Sequence, residues 1–111
     1  MLLRERHYLL DMLNAAKLAQ DFVADIDREV FASDLMRQAA VTRQIEIIGE
    51  AAQRISAESR STIPNIPWDE IIEMRNRLIY EYDNIDITAL WENIQITLPE
   101  LITLLERSLR S

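Results

Sequence analysis

The chain has 111 residues, which is enough for one domain that buries its own core. It contains no cysteine, which excludes disulfides, thiolate metal sites and catalytic cysteines. A formal net charge of -7 argues against a protein that coats nucleic acid or an anionic membrane through its overall field, so any polyanion must be bound locally.

The composition favours helices throughout. One glycine, three prolines and the absence of Asn-Gly or Asp-Gly leave no hairpin signal, so we predict an all-α fold in a single domain over residues 1–111. Charged residues follow directly after residue 3, so the start of the chain does not resemble a signal peptide or a membrane span. We therefore expect a cytoplasmic protein without membrane association.

The first predicted helix is amphipathic and runs from about Arg4 to Ala24, because apolar residues recur there at steps of three and four. Residues 25–32 are predicted to form a short connector. Phe31 within it is expected to contact the core.

The second predicted helix is capped by Ser33 or Asp34 and ends near Ser56. Gly49 lies inside it and costs about 1 kcal/mol relative to alanine. We expect the close approach of another helix or chain to compensate, because a missing side chain lets backbones come near one another. A directly functional glycine is the alternative.

The third predicted helix begins at Pro67, where the missing N–H of proline is harmless, after a polar loop over residues 56–66. It is expected to fray near Tyr82. The last helix is predicted from Ile87 to about Leu109, with Asp86 as its cap and a kink at Pro99.

The last helix has an apolar face broader than one packing contact requires. Such a face fits either a central helix of a bundle or a helix that also contacts a second subunit. We predict a bundle of four main helices, or four to five in all, and we consider a homodimer consistent with the pattern.

Metal sites have little support in the sequence. His7 is the only histidine, which excludes a site with two histidine ligands, and its simplest interpretation is a surface or boundary residue. Glu46 and Glu50 lie one helical turn apart, but no further carboxylates are arranged around them as in di-iron bundles. We predict neither a metal nor a cofactor.

A polar cluster stands out on the third helix. On an ideal helix Arg75 and Tyr82, seven positions apart, are nearly eclipsed, and Asn76 and Tyr80, four apart, are adjacent. Packing explains the apolar residues of this segment but does not require Arg75-Asn76-Arg77 ahead of them. On spacing alone, a structural and a functional interpretation both remain open.

The segment from Met74 to Tyr82, followed by Asn84-Ile85-Asp86, resembles the motif of the HepT-like branch of the HEPN ribonuclease toxins. In that family an arginine and an asparagine open the motif, four residues separate the arginine from a histidine, and a tyrosine stands two positions beyond it. Tyr80 occupies the place of the histidine here. Arg43 to Ala52 and Pro64 to Trp68 resemble two further family segments, so the resemblance covers nearly the whole chain.

The resemblance implies a dimeric RNA-cleaving toxin whose two motifs face a shared cleft. It also implies an MNT-type nucleotidyltransferase antitoxin as partner, which transfers AMP from ATP to the motif tyrosine. Carried over by position, Arg75 would hold the scissile phosphate, Asn76 would orient it and Tyr82 would accept AMP. Tyr80 falls at the remaining catalytic position, where a phenol is a poor base because it is almost wholly protonated at neutral pH.

Because Tyr80 stands in place of the motif histidine, two possibilities remain open. The chain is a weakened or inactive ribonuclease, or it uses this tyrosine differently. Arg43 and Glu50 could support the motif from the second helix, or could form a surface ion pair. The alternative function is a non-catalytic helical binding partner of the nucleotidyltransferase that accepts AMP on Tyr82. A purely structural bundle is the third interpretation.

Overall fold

The computed structural model describes residues 2–110, and Met1 and Ser111 of the predicted domain lie outside the described residues. A 3-10 turn, Leu3–Glu5, precedes the first helix, and a π-helical segment, Asn93–Thr97, joins the last two. No strand occurs within residues 2–110, which confirms the predicted all-α fold. The helices are α1 Arg6–Val23, α2 Arg28–Ala32, α3 Leu35–Arg54, α4 Ala57–Ser61, α5 Trp68–Tyr80, α6 Ile87–Glu92 and α7 Leu98–Arg110.

The long helices pack as a bundle around one apolar core. Helix α1 packs against both α3 and α7, and α3 also packs against α5. The path from α6 through the π-helical segment to α7 is the fourth long member, so the predicted bundle of four main helices is confirmed. All four members contribute fully buried apolar side chains, among them Leu9, Met12, Ile45, Ile48, Ile71, Leu90, Ile94 and Leu101. Within residues 2–110, no helix has the length and hydropathy needed to cross a bilayer.

Aspartates cap the starts of two of the predicted helices. The side chain of Asp34 accepts a hydrogen bond from the backbone N–H of Arg37 at 3.1 Å, and Asp86 accepts one from Ala89 at 3.1 Å. Each bond satisfies a backbone donor that has no partner inside the helix. Asp34 rather than Ser33 is therefore the cap of α3, and the prediction for Asp86 is confirmed.

The predicted connector over residues 25–32 contains a short helix, α2, so that prediction was wrong in part. Its cap is Asp27, whose side chain accepts from the backbone N–H of Val30 at 2.9 Å. Phe31 is fully buried, as predicted, and its ring centroid lies 5.3 Å from that of Trp91. This aromatic pair attaches α2 to α6.

The predicted loop over residues 56–66 also contains a short helix, α4, whose cap is Ser56. The carboxylate of Glu5 lies at the start of this helix and accepts hydrogen bonds from the backbone N–H and hydroxyl of Ser56, both at 3.0 Å, and from the Ser59 hydroxyl. These bonds hold the pKa of Glu5 below its ordinary value, with the Ser59 hydroxyl as the largest cause. Glu5 thus attaches the beginning of the chain to α4.

Two predictions about prolines need adjustment. Pro67 precedes α5 as its cap residue instead of beginning the helix, because its ψ of 72° lies outside the helical range. The irregularity predicted at Pro99 takes the form of the π-helical segment Asn93–Thr97 just before it. Proline cannot donate the backbone hydrogen bond that an α-helix requires, and such wider turns are one way in which helices accommodate irregular hydrogen bonding.

Candidate functional site

The four motif residues lie in the second half of α5 and in the turn that follows it. Arg75, Asn76 and Tyr80 belong to α5, which ends at Tyr80, two residues before the predicted point of fraying near Tyr82. The backbone leaves the helix at Glu81, whose φ of -112° and ψ of 27° are no longer helical. The expected alignment of Arg75 with Tyr82 on an ideal helix therefore does not apply, whereas Asn76 and Tyr80 remain one turn apart.

The contact between α3 and α5 places Arg75 directly against Gly49. A β-carbon added to Gly49 would lie 2.3 Å from Cβ and 2.6 Å from Cγ of Arg75. Gly49 has a negative φ, so this position requires glycine for the space it leaves and not for its backbone freedom. The prediction that another helix approaches closely at Gly49 is confirmed. Sequence reasoning did not identify Arg75 as the residue that makes the contact.

The guanidinium of Arg75 has an unusual environment for this chain. Within residues 2–110 its side chain forms neither a hydrogen bond nor an ion pair, and its Nε is buried. Three other arginines are also partly buried, and each has partners: Arg6 and Arg60 donate to backbone carbonyls, and Arg37 contacts two carboxylates. A partly buried cation without an anion nearby favours the binding of an anionic ligand.

The next arginine along α5 serves as a contrast. Arg77 is largely exposed, and its Nη2 lies 2.9 Å from a carboxylate oxygen of Glu73 one turn earlier. Its charge is therefore compensated within the helix itself. Arg75 and Arg77 are two positions apart but differ in burial and in pairing.

The remaining motif side chains are free to meet a ligand or another protein. Asn76 is partly buried, whereas Tyr80 is 81% exposed and Tyr82 is 77% exposed. Among the described residues, none of these three side chains has a hydrogen-bond partner. Both phenolic hydroxyls, of Tyr80 and of Tyr82, are therefore open to solvent within the described part of the chain.

The two residues predicted to support the motif from α3 contact each other. Nη1 of Arg43 lies 3.6 Å from Glu50 Oε1 and 3.4 Å from Glu46 Oε2. Neither Arg43 nor Glu50 forms a hydrogen bond or an ion pair with a motif residue in the part of the chain described. The exposed pairs are worth under about 1 kcal/mol, and a supporting role for Arg43 and Glu50 stays a prediction.

The other face of α5 borders a groove shared with α6. This groove is lined by Glu70, Glu73, Glu81 and Asp86, with Arg77 as a lining cation and an apolar floor. None of Arg75, Asn76, Tyr80 and Tyr82 lines it. An acidic groove repels a polyanion, so the motif and the groove are chemically separate. Among residues 2–110, no three His, Cys, Asp or Glu side chains are grouped to hold a metal ion.

Comparison with known proteins identifies relatives over most of the chain. The profile of the family described as Ribonuclease HepT-like matches residues 12–108. The "Probable ribonuclease HepT" of Thermococcus cleftensis is 38% identical over 96 residues, which cover 86% of this chain and 87% of the relative. A Methanocaldococcus jannaschii protein provisionally named an RNase is 38% identical over 94 residues, covering 85% and 86% of the two chains.

A Caldanaerobacter subterraneus protein, also provisionally named an RNase, is 36% identical over 96 residues, covering 86% of both chains. No solved structure gives a significant match. The family match extends on both sides of the motif helix, from the first half of α1 into α7.

Proposed function

The chain belongs to the HepT-like ribonuclease family, and on that premise we propose that it is a metal-independent RNA endonuclease, the cytoplasmic toxin of a toxin–antitoxin pair. The observation that carries the proposal is the state of Arg75: partly buried, with no anionic partner among the described residues, at the position of the family arginine. Its terminal N–H groups have no acceptor within residues 2–110. They can donate to two phosphate oxygens of an RNA backbone.

The chemistry assigned to the motif is attack of a ribose 2′-oxygen on the adjacent phosphorus, with departure of the 5′-oxygen. This reaction requires loss of the 2′-proton, stabilisation of the extra negative charge on the phosphorane, and protonation of the leaving oxygen. Arg75 stabilises the phosphorane, and the amide of Asn76 orients a phosphate oxygen. Both residues lie within α5, before its last turn ends, and a regular helix favours such positioning.

Tyr80 limits the rate of this reaction. It stands at the family's histidine position, it is exposed, and no neighbouring group in residues 2–110 is bonded to its hydroxyl. Phenols in general are poor acceptors for a proton at neutral pH. We therefore expect slow cleavage by the chain as it stands and faster cleavage by a Tyr80→His variant.

A homodimer with both motifs facing one cleft is part of the proposal. In one chain, Ile79 and Tyr80 at the end of α5 and Tyr82 just beyond it are each exposed, although they are large hydrophobic side chains. Such a surface is suited to a partner chain or to stacking bases. A shared cleft would also bring two copies of Arg75 together in a protein whose overall charge is negative.

We further propose that an MNT-type nucleotidyltransferase antitoxin controls the site through Tyr82. The phenolic oxygen of Tyr82 would attack the α-phosphorus of ATP, pyrophosphate would leave, and the phenolic proton would be released. The hydroxyl is exposed and has no hydrogen bond to any of residues 2–110, which supports access by a second enzyme. The attached AMP would oppose RNA binding through its bulk and its negative charge.

One observation favours a second candidate function, that of a non-catalytic partner and AMP acceptor of the nucleotidyltransferase. The Tyr80 hydroxyl has no hydrogen-bond partner in the described chain, so no side chain is in place to accept its proton, and the protein could bind RNA or the antitoxin without cleaving. In this case Tyr82 would still be modified. The two candidates differ only in whether RNA is cut.

The test is an RNA cleavage assay with total RNA and tRNA in the presence of EDTA. The wild-type chain is expected to cut slowly, Tyr80→His to cut faster, and Arg75→Gln in the histidine background to be inactive. If Tyr80→His leaves RNA intact while the RNA is still bound, the non-catalytic candidate stands. If, in addition, the RNA affinity of Arg75→Gln equals that of the wild type, the assignment of this site to RNA is wrong.

A further inference from the structure

We infer that Gly49 is a positioning residue for Arg75: by leaving space on α3, it fixes the direction in which the Arg75 guanidinium meets a phosphate. This inference rests on the proposed function for the identity of the ligand. Its structural part, the control of Arg75 by residue 49, can be tested without RNA.

The atoms that occupy the space at Gly49 are the first two carbons of the Arg75 side chain. Cβ of Arg75 would lie 2.3 Å from an added β-carbon, whereas non-bonded carbons normally lie about 3.5–4.0 Å apart. The position of a β-carbon is set by the backbone, so rotation of the Arg75 side chain cannot remove this overlap. Any side chain at position 49 must therefore move α5 away from α3 by roughly 1 Å.

The buried Nε of Arg75 is a second, independent observation. This atom has no hydrogen-bond partner in the described part of the chain, although burial of an unpaired N–H is unfavourable. The inner edge of the guanidinium is thus enclosed by protein, and only its terminal nitrogens remain for a ligand. A planar guanidinium group that is held in this way directs its terminal N–H donors to one side, where they can bind a phosphate through two hydrogen bonds.

Together the two observations indicate that residue 49 determines the position of the Arg75 side chain. Glycine lowers the stability of the helix. An alanine at position 49 would pack equally well on α3 if close contact with Arg75 were not required. A displacement of about 1 Å at a phosphate-binding group can reduce activity by about 100-fold. Gly49 contacts no reacting atom in this arrangement, and it acts only through Arg75.

The first measurement follows the Arg75 Nε–H signal by ¹H–¹⁵N NMR in the full chain, identified by its loss in Arg75→Gln. In the wild type we expect the Arg75 Nε proton to exchange slowly with solvent. In Gly49→Ala its chemical shift should change, and it should exchange as fast as the Nε proton of the exposed Arg77. The control is Ala16→Val, which overpacks a fully buried position on α1. It should retain the wild-type Arg75 signal despite a similar loss of stability.

The second measurement is the affinity of the same variants for a fluorescent single-stranded RNA at a temperature where far-UV circular dichroism shows them equally folded. Gly49→Ala should weaken binding about 10- to 100-fold, as Arg75→Gln does, and Ala16→Val should weaken it less than about 3-fold. If Arg75→Gln weakens binding but Gly49→Ala does not, the inference is overturned. If Arg75→Gln has no effect, the proposed function fails, and the NMR result alone decides the role of Gly49.

If Gly49→Ala does not fold, hydrogen exchange in the wild-type protein still tests the inference. Rapid exchange of the Arg75 Nε–H, equal to that of Arg77, would show that the guanidinium is not enclosed and would overturn the inference. Slow exchange would support it.

Discussion

Gly49 of α3 and Arg75 of α5 are in direct contact, and the side chain of Arg75 fills the space that a side chain at residue 49 would occupy. The contact joins the second long helix to the motif helix at the residue that we propose to bind phosphate. It also explains why a residue that disfavours helices lies in the middle of α3. The packing of the bundle and the geometry of the candidate site therefore depend on the same pair of residues.

The cap of α3 yields a prediction with a built-in control. Asp34→Ala should lower the free energy of unfolding by about 1 kcal/mol, because the backbone N–H of Arg37 loses its acceptor. For a domain of this size that corresponds to a fall in Tm of about 4–6 °C. Ser33→Ala changes the neighbouring residue, whose hydroxyl donates to carbonyls of α2 and caps nothing in α3. Equal losses in the two variants would contradict this assignment.

A second prediction concerns acid stability. Since hydrogen bonds lower the folded-state pKa of Glu5, its carboxylate favours folding above the ordinary value of 4.5, and this contribution is lost as the pH falls through the lowered pKa. Glu5→Gln should therefore reduce Tm at pH 7 but have little effect well below pH 4.5. Thermal melts at several pH values measure this. Glu92→Gln, at an exposed position, is the control, and a Glu5→Gln effect of the same size at every pH would be evidence against the mechanism.

The third prediction places the modification on one of two exposed tyrosines. After incubation with an MNT-type nucleotidyltransferase and ATP, intact-mass spectrometry should show the addition of AMP to the wild type and to Tyr80→Phe. Tyr82→Phe should show none. Addition that persists in Tyr82→Phe, or no addition to any form, would rule out Tyr82 as the acceptor.

The long helices could be predicted from sequence because each has an apolar stripe that repeats over several turns. The short helices α2 and α4 could not, since five residues contain too little periodicity to distinguish a helix from a turn. The choice between Ser33 and Asp34 was open for a related reason: both side chains are good caps, and the local backbone decides between them. The end of α5 at Tyr80 was likewise misplaced by two residues, because turn signals locate a boundary only approximately.

The candidate site was predicted in its residues but not in its environment. The motif identifies Arg75 and Asn76, and the sequence shows a carboxylate one turn before Arg77 and none one turn from Arg75. Whether another helix supplies a partner to Arg75 cannot be predicted from the sequence, because it depends on the tertiary packing. Likewise, the sequence indicates that something approaches Gly49, but the identity of the partner depends on the register of α3 against α5. That register follows from the whole core and is not encoded in either segment alone.

We propose that the guanidinium of Arg75, which has no partner among the described residues, and not arginine charge in general, binds the RNA phosphate. Arg75→Gln and Arg77→Gln remove the same charge from neighbouring positions on α5, so their affinities for one single-stranded RNA can be compared directly at fixed salt. We predict that Arg75→Gln weakens binding at least about 10-fold, or about 1.4 kcal/mol, and Arg77→Gln less than about 3-fold, because Arg77 is exposed and paired with Glu73. Equal effects of the two substitutions, or a larger effect of Arg77→Gln, would contradict the claim.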